Sequence, residues 1–472
     1  MLPLPGAEHM EIIKTVKKWS QIITLMKIEK IKHKKGTSLK SITRSLRHRN
    51  FRLFFSGQSI SLIGTWIQRV ALGWLVYRLT NSAFLLGLVG FSSQIPTFFL
   101  ASFAGVLADR YDRHHILILT QTLAMLQALV LSVLVLFDLI RIWHVIILSI
   151  VLGIIDAFDM PTRQSFMVEM VEEKNDLANA IALNSSTVNS ARLLGPSAAG
   201  MLIAAVGEGT CFLINAISYM AVIASLLLMK IGQKKVKPGT SRVWQELKEG
   251  FRYAAGFAPI RDLLLIFALI NLAGMSYTVL MPVFAKDLLH GGSSAFGFLM
   301  GSTGLGALGG TIYLASRKSV LGLDKMIPIA AAFFGFSLMV FSLSRLLYFS
   351  LGLMLLGGIG QIILMASCNT LLQTVVDDDK RGRVMSFFIM AFMGATPVGS
   401  LIAGALASKL GAPWTVFIGG LACIIGAFFF AKRLPILRKL TRPTYVRMGI
   451  IPEIDDAIQS STELSIHRKH SQ

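Results

Sequence analysis

The sequence predicts an all-α polytopic membrane protein, with twelve transmembrane helices in two pseudo-symmetric six-helix bundles. Three observations predict it. The 472-residue chain is 54% hydrophobic and 15% charged, whereas a soluble globular chain carries about 25% charged residues. Its apolar residues fall in long runs, most of them as long as the ~20 residues that carry a helix across a bilayer core. Its basic residues concentrate in the termini and in alternate turns, the distribution that orients membrane helices. The net charge of +21 therefore reads as topology and attraction to anionic lipid, not as a nucleic-acid surface.

Residues 1–50 form a basic cytoplasmic extension. Ile12, Ile13, Val16, Trp19, Ile23 and Met26 recur at helical spacing among Lys14, Lys17 and Lys18. That pattern fits either an amphipathic helix on the inner leaflet or a tail without a structural role. The first ~50 residues lack a bounded apolar signal region, so the first span is read as its own insertion signal. The N-terminal bundle, 51–230, holds spans at 54–78, 83–108, 115–137, 142–165, 180–206 and 210–229. A cytoplasmic linker, 231–262, carries Trp244, Leu247, Phe251 and Tyr253 among charges, which predicts an interfacial helix. The C-terminal bundle, 263–431, holds spans at 263–286, 296–316, 326–344, 347–373, 384–408 and 414–431, and 432–472 form a cytoplasmic tail.

The outer turns carry few cations: Arg78, Arg141, Lys286, Arg345 and Lys409. The inner segments carry most of the others, which places both termini in the cytoplasm. A weak internal repeat, offset by roughly 205 to 212 residues, supports two parallel halves. It pairs Ser82-Ala83-Phe84 with Ser294-Ala295-Phe296, and residues 200–207 with 404–411. Cys211, Cys368 and Cys423 all fall inside apolar runs and suggest neither disulfides nor a metal site.

The turn Gly105-Val106-Leu107-Ala108-Asp109-Arg110-Tyr111-Asp112-Arg113 joins the second and third spans. Small residues there permit close helix approach. Asp109 suits a neighbouring helix N-terminus, and Arg110 and Arg113 can donate to carboxylates or to helix C-terminal carbonyls. Contacts of this kind that form in one conformation and break in another would make Gly105, Asp109, Arg110 and Arg113 a latch. At this turn the chain resembles the major facilitator superfamily, whose loop after the second helix reads Gly-x-Leu-Ala-Asp-Arg-x-x-Arg followed by a cation. His114 departs from the final position.

Ionisable residues inside spans are functional candidates. Asp156 and Asp159 share one face of the fourth span, with Arg163 four residues on and Pro161 between. They read either as proton carriers, because low dielectric raises a carboxylate's pKa, or as an Asp–Arg brace at the helix end. In the fifth span, Ala191 to Gly200 resembles the antiporter motif of superfamily exporters through Gly195, Pro196 and Gly200, with Pro397 as the counterpart in the second half. Arg192 precedes the motif and can take an anionic substrate or a carboxylate of the fourth span. The resemblance implies a cavity between spans one, four, seven and ten, which makes Gln68, Arg69, Asn271 and Gln361 candidates to line it, beside Arg163 and Arg192. Each polar residue also reads as a helix–helix hydrogen bond.

No nucleophile elbow, zinc spacing or Gly-Lys-Ser/Thr phosphate loop occurs. The chain is therefore read as a carrier and not an enzyme, with no cofactor and no metal. Residues 50–435 resemble a subgroup of bacterial exporters similar to the enterobactin exporter and to macrolide efflux proteins. The carrying residues are 56–61, 75–80, Asp159 to Gln164, and Gly195-Pro196. The resemblance implies a secondary active transporter of the cytoplasmic membrane. It would export a siderophore, drug or metabolite by alternating access, with protons as the coupling ion and the bilayer and a small molecule as partners. The alternative is a flippase-like carrier of lysophospholipids, which an Arg192 at headgroup depth would favour. A scaffold without transport is the third reading, and the charged latch argues against it.

Overall fold

The computed structural model describes residues 44–171, 173–230, 252–275, 277–317, 319–377 and 380–448. The predicted helix of the N-terminal extension and most of the predicted linker helix lie outside them. The first half contains α1 (Arg49–Thr80), α2 (Ala83–Arg110), α3 (Arg113–Leu136), α4 (Ile142–Met167) and α5 (Lys174–Leu227). The second half contains α6 (Ala258–Leu288), α7 (Gly292–Ser316), α8 (Leu323–Leu343), α9 (Leu347–Val375), α10 (Arg381–Leu410) and α11 (Ala412–Arg447). Among the described residues these 11 helices are long and apolar enough to cross a membrane. α5 has 54 residues and, extended, would run for about 81 Å, too far for one crossing. It folds back at Gly207, whose φ of 78° and ψ of 170° only glycine adopts without strain. Eleven helices therefore supply the twelve predicted crossings.

Local chemistry sets the helix ends. Ser82 accepts from the Leu85 amide to open α2, and Asp112 accepts from the His114 amide to open α3. α6 is broken by wide turns at Ile270–Gly274 and Phe284–Leu288. One end of the bundle carries both described termini, and is called here the terminal end; the other is the distal end. α11 continues past the predicted end of the last span, as far as Arg447. Leu437 and Thr441 are buried there. Arg433 bonds Asp262 at 3.1 Å, Arg447 bonds Asp377 at 2.9 Å, and Arg438 pairs with Asp324. The first part of the predicted tail is thus a helix tied beneath the second half.

The two halves meet where α2 crosses α10 and α5 crosses α7. Glycines make both crossings. A Cβ on Gly200 would lie 2.7 Å from the Cα of Gly297, and one on Gly87 would lie 2.8 Å from the Cα of Gly404. Such backbone approach is how membrane helices associate without a hydrophobic driving force. Trp74 stacks on Phe296 with centroids 6.3 Å apart. Tyr77 bonds Asp287, and Lys286 donates to Asn81 at 2.6 Å. All of these contacts lie toward the distal end. Toward the terminal end of α2, a Cβ on Gly105 would meet no atom within 4 Å. The halves therefore close distally and part into a cleft toward the termini.

Candidate functional site

Three ionisable side chains reach the cleft near its closed end: Arg69 on α1, Asp156 on α4 and Arg192 on α5. At 1.5 Å per residue each lies roughly 16–23 Å from the distal end of its helix, within the bilayer core. The side chains of Arg69 and Asp156 are 53% and 41% exposed, and their charged atoms lie 3.8 Å apart. The Arg69 guanidinium also sits 5.4 Å from the Trp66 ring centroid, a cation–π contact that holds its other face. This is a loose pair, open to whatever fills the cleft.

Asp159 is placed differently. Its carboxylate is buried and accepts from Gln121 at 2.7 Å and Thr120 at 3.1 Å, with Arg163 at 3.3 Å. Every bond ties α4 to α3 or to its own next turn. The geometry is that of the brace, and Arg163 belongs to it.

Several residues expected in the cavity pack between helices instead. Gln68 is 2% exposed; it donates to Gln127 at 3.0 Å and accepts from Asn215 at 2.7 Å. Both ends of its amide are spent on pinning α1 to α3 and to the second arm of α5, as a buried amide requires. Asn271 is buried in the wide turn of α6 and donates to the Phe267 carbonyl at 2.7 Å. Gln361 is buried on α9 and lies 2.6 Å from the Met275 sulfur. In the structure their polar groups are engaged within the fold.

The motif in α5 is divided between two tasks. Gly195 packs on Trp66 within the first half, whereas the Pro196 carbonyl and Gly200 meet Gly297 across the halves. On α10, beside the buried Pro397, Gly399 packs against the Leu272 carbonyl and Gly394 against Phe98 of α2. The Asp109 side chain lies outside the described residues. Arg110 is exposed, and Arg113 bonds Glu169 at the end of α4, at 2.6 Å. A Cβ on Gly105 would meet no atom within 4 Å.

The structure adds residues that the sequence did not single out. Asp176, one turn into α5, is 1% exposed and is held by Arg44, by Arg47 at 2.8 Å and by His48 at 3.0 Å. Burial pushes its carboxyl up, but His48 and the two guanidiniums outweigh burial and hold it below the ordinary range. The available signal was an acid in the first turn of a helix. At the distal end, Tyr77–Asp287 and Asn81–Lys286 lock the two halves together.

A family model described as transmembrane secretion effector matches residues 41–448. The chain is 29% identical over 385 residues to the staphyloferrin A transporter of Staphylococcus aureus, an alignment covering 81% of this chain and 96% of that one. It is 24% identical to macrolide efflux protein A of Streptococcus pyogenes, over 80% of this chain and 96% of the other. Among solved structures, a bacterial homologue of the iron transporter ferroportin in an inward-facing state superposes with a TM-score of 0.64 at 19% identity, covering 82% and 98% of the two chains. A bacterial homologue of the human lysosomal transporter Spinster, inward-facing and unoccupied, gives 0.61 at 13% identity, with 85% and 98% covered.

Proposed function

The chain belongs to the transmembrane secretion effector family of major facilitator transporters, and from that premise we propose that it is a proton-driven exporter of small amphipathic molecules. It is a multi-pass membrane transporter; the exporter reading adds direction, driving force and substrate. The relatives named for staphyloferrin A and for macrolide efflux support a siderophore, drug or metabolite as cargo. The basic terminal end supports a cytoplasmic placement of both termini in the cell membrane. The cleft then opens inward and is sealed outward, one of the two states that alternating access requires.

The observation that carries the proposal is the loose Arg69–Asp156 pair near the closed end of that cleft. Protonation of Asp156 removes the charge that faces Arg69 and changes the electrostatics of the site at one stroke. Asp159 is instead held by Gln121, Thr120 and Arg163. Arg192 lies about 22 Å along α5 from the turn at Gly207, away from headgroup depth, so it does not add support to the lysophospholipid alternative.

The test is proton movement in inverted vesicles, with a pH-sensitive dye reporting collapse of an imposed gradient as amphipathic compounds are added. Collapse in the wild type, lost in Asp156→Asn and retained in Asp159→Asn, is the expected result. Equal collapse in all three would remove Asp156 from the coupling step.

A further inference from the structure

Every charged residue in the interior of the spans lies in the first half, and the inventory does not balance. Three guanidiniums, Arg69, Arg163 and Arg192, face two carboxylates, Asp156 and Asp159. Arg163 is committed to Asp159, and Arg69 stands beside Asp156. Among the described residues no carboxylate lies within ion-pair distance of Arg192. A cation held at mid-bilayer depth without a counter-charge is costly, and such residues face a water-filled or ligand-filled space.

Arg192 is placed for a ligand. Its backbone carbonyl and the next residue, Leu193, pack where α5 crosses Gly304 of α7, so its half-buried side chain stands where the cleft closes. Tyr277 of α6 is buried against Phe334, so it leaves Arg192 as the polar group at this level. A group bound at Arg192 therefore meets a guanidinium from the first half.

We propose that the transported molecule carries an acidic oxyanion group, a carboxylate first of all, and that Arg192 receives it. This rests on the exporter reading and names its substrate class. A guanidinium offers a fork of donors that matches a carboxylate in two parallel hydrogen bonds. Arg69 and Asp156 remain paired while the acid is bound, so that substrate binding and proton uptake use different side chains. The bound acid supplies the counter-charge that the spans lack, and the apolar remainder of the molecule lies against the uncharged second half.

The test uses purified full-length protein in nanodiscs and two fluorescent probes of one shape, dansyl-glycine and its neutral amide. Wild type is expected to bind the acid at least about tenfold more tightly than the amide, the ratio that one charge-assisted contact confers. Arg192→Gln abolishes the preference while leaving amide affinity within about twofold, and Arg192→Lys keeps part of it. Equal affinity for acid and amide, no binding of the acid at about 1 mM, or equal weakening of both probes by Arg192→Gln overturns the assignment. Asp156→Asn keeps the acid preference if the two roles are separate. Acid binding that depends on Arg192, in a protein that moves no protons, would uphold the site and reject the exporter reading.

Discussion

The two halves share a topology but not a chemistry. In the first half, spans one, four and five carry Arg69, Asp156, Asp159, Arg163 and Arg192. In the second half the stretches 263–285, 292–316, 326–344, 346–375, 384–408 and 412–431 contain no Asp, Glu, Lys or Arg. Its charges stand at the ends instead: Lys286 and Asp287 distally, Asp262, Asp324 and Asp377 at the terminal end. The second half contributes glycines and aromatic faces, with Gly297, Gly301, Gly304 and Gly404 each lying against the partner half. The contrast suggests a division of labour. The first half holds the charges within the spans, and the second presents an uncharged apolar surface to it.

Gly297→Leu should break this arrangement most severely. A side chain there strikes the backbone of Gly200, and overpacking costs about 1–3 kcal/mol. Charged against the closed distal end alone, that is roughly a 5- to 150-fold loss of its population. Transport should fall in proportion, while thermal unfolding in detergent moves less. Unfolding that drops as steeply as transport would show that the crossing holds the fold together and not merely the closed state.

Asp159→Asn sharpens the contrast within the first half. The amide keeps an acceptor for Gln121 and Thr120 but leaves Arg163 without its partner, at a cost of about 1–3 kcal/mol. A lowered unfolding temperature with an unchanged ratio of protons to substrate is expected. Loss of coupling at an unchanged unfolding temperature would exchange the roles of Asp156 and Asp159.

The smallest effect belongs to the second half's charges outside the membrane. Hydrogen bonding by Arg447 holds the Asp377 carboxyl below its ordinary range, against the opposing pull of burial. A carboxyl depressed in the fold contributes stability above its unfolded pKa and loses it as pH falls through the folded value. Both groups are largely exposed, so Asp377→Asn should cost at most about 1 kcal/mol near neutrality. The variant and the wild type should converge in unfolding temperature once the medium is more acid than the lowered value.

The sequence made the architecture legible because the cost of charge in a bilayer leaves long apolar runs that cannot be disguised. It also exposed the identities of the charged residues in those runs, Asp156 and Arg192 among them. Which way a side chain points was harder to read. Gln68 and Arg69 are neighbours in sequence, yet consecutive residues diverge by about 100° around a helix; one is sealed among Gln127 and Asn215, and the other enters the cleft. Pairing between distant positions was likewise invisible. Nothing in an apolar run announces that Arg69 meets Asp156, or that Tyr77 meets Asp287. Asp112 and Asp176 were hidden for a different reason. In a basic stretch an acid looks like one more surface charge until the helix start that it caps, or the cations that surround it, are seen.

The glycine crossings also have a mechanical meaning. Gly87 on Gly404 and Gly200 on Gly297 are two fulcrums of bare backbone, set toward one end of long rigid beams. From Gly297 to the terminal end of α7 the beam is about 28 Å long, so each degree of tilt swings its tip by roughly 0.5 Å. The leverage is greatest at the terminal ends.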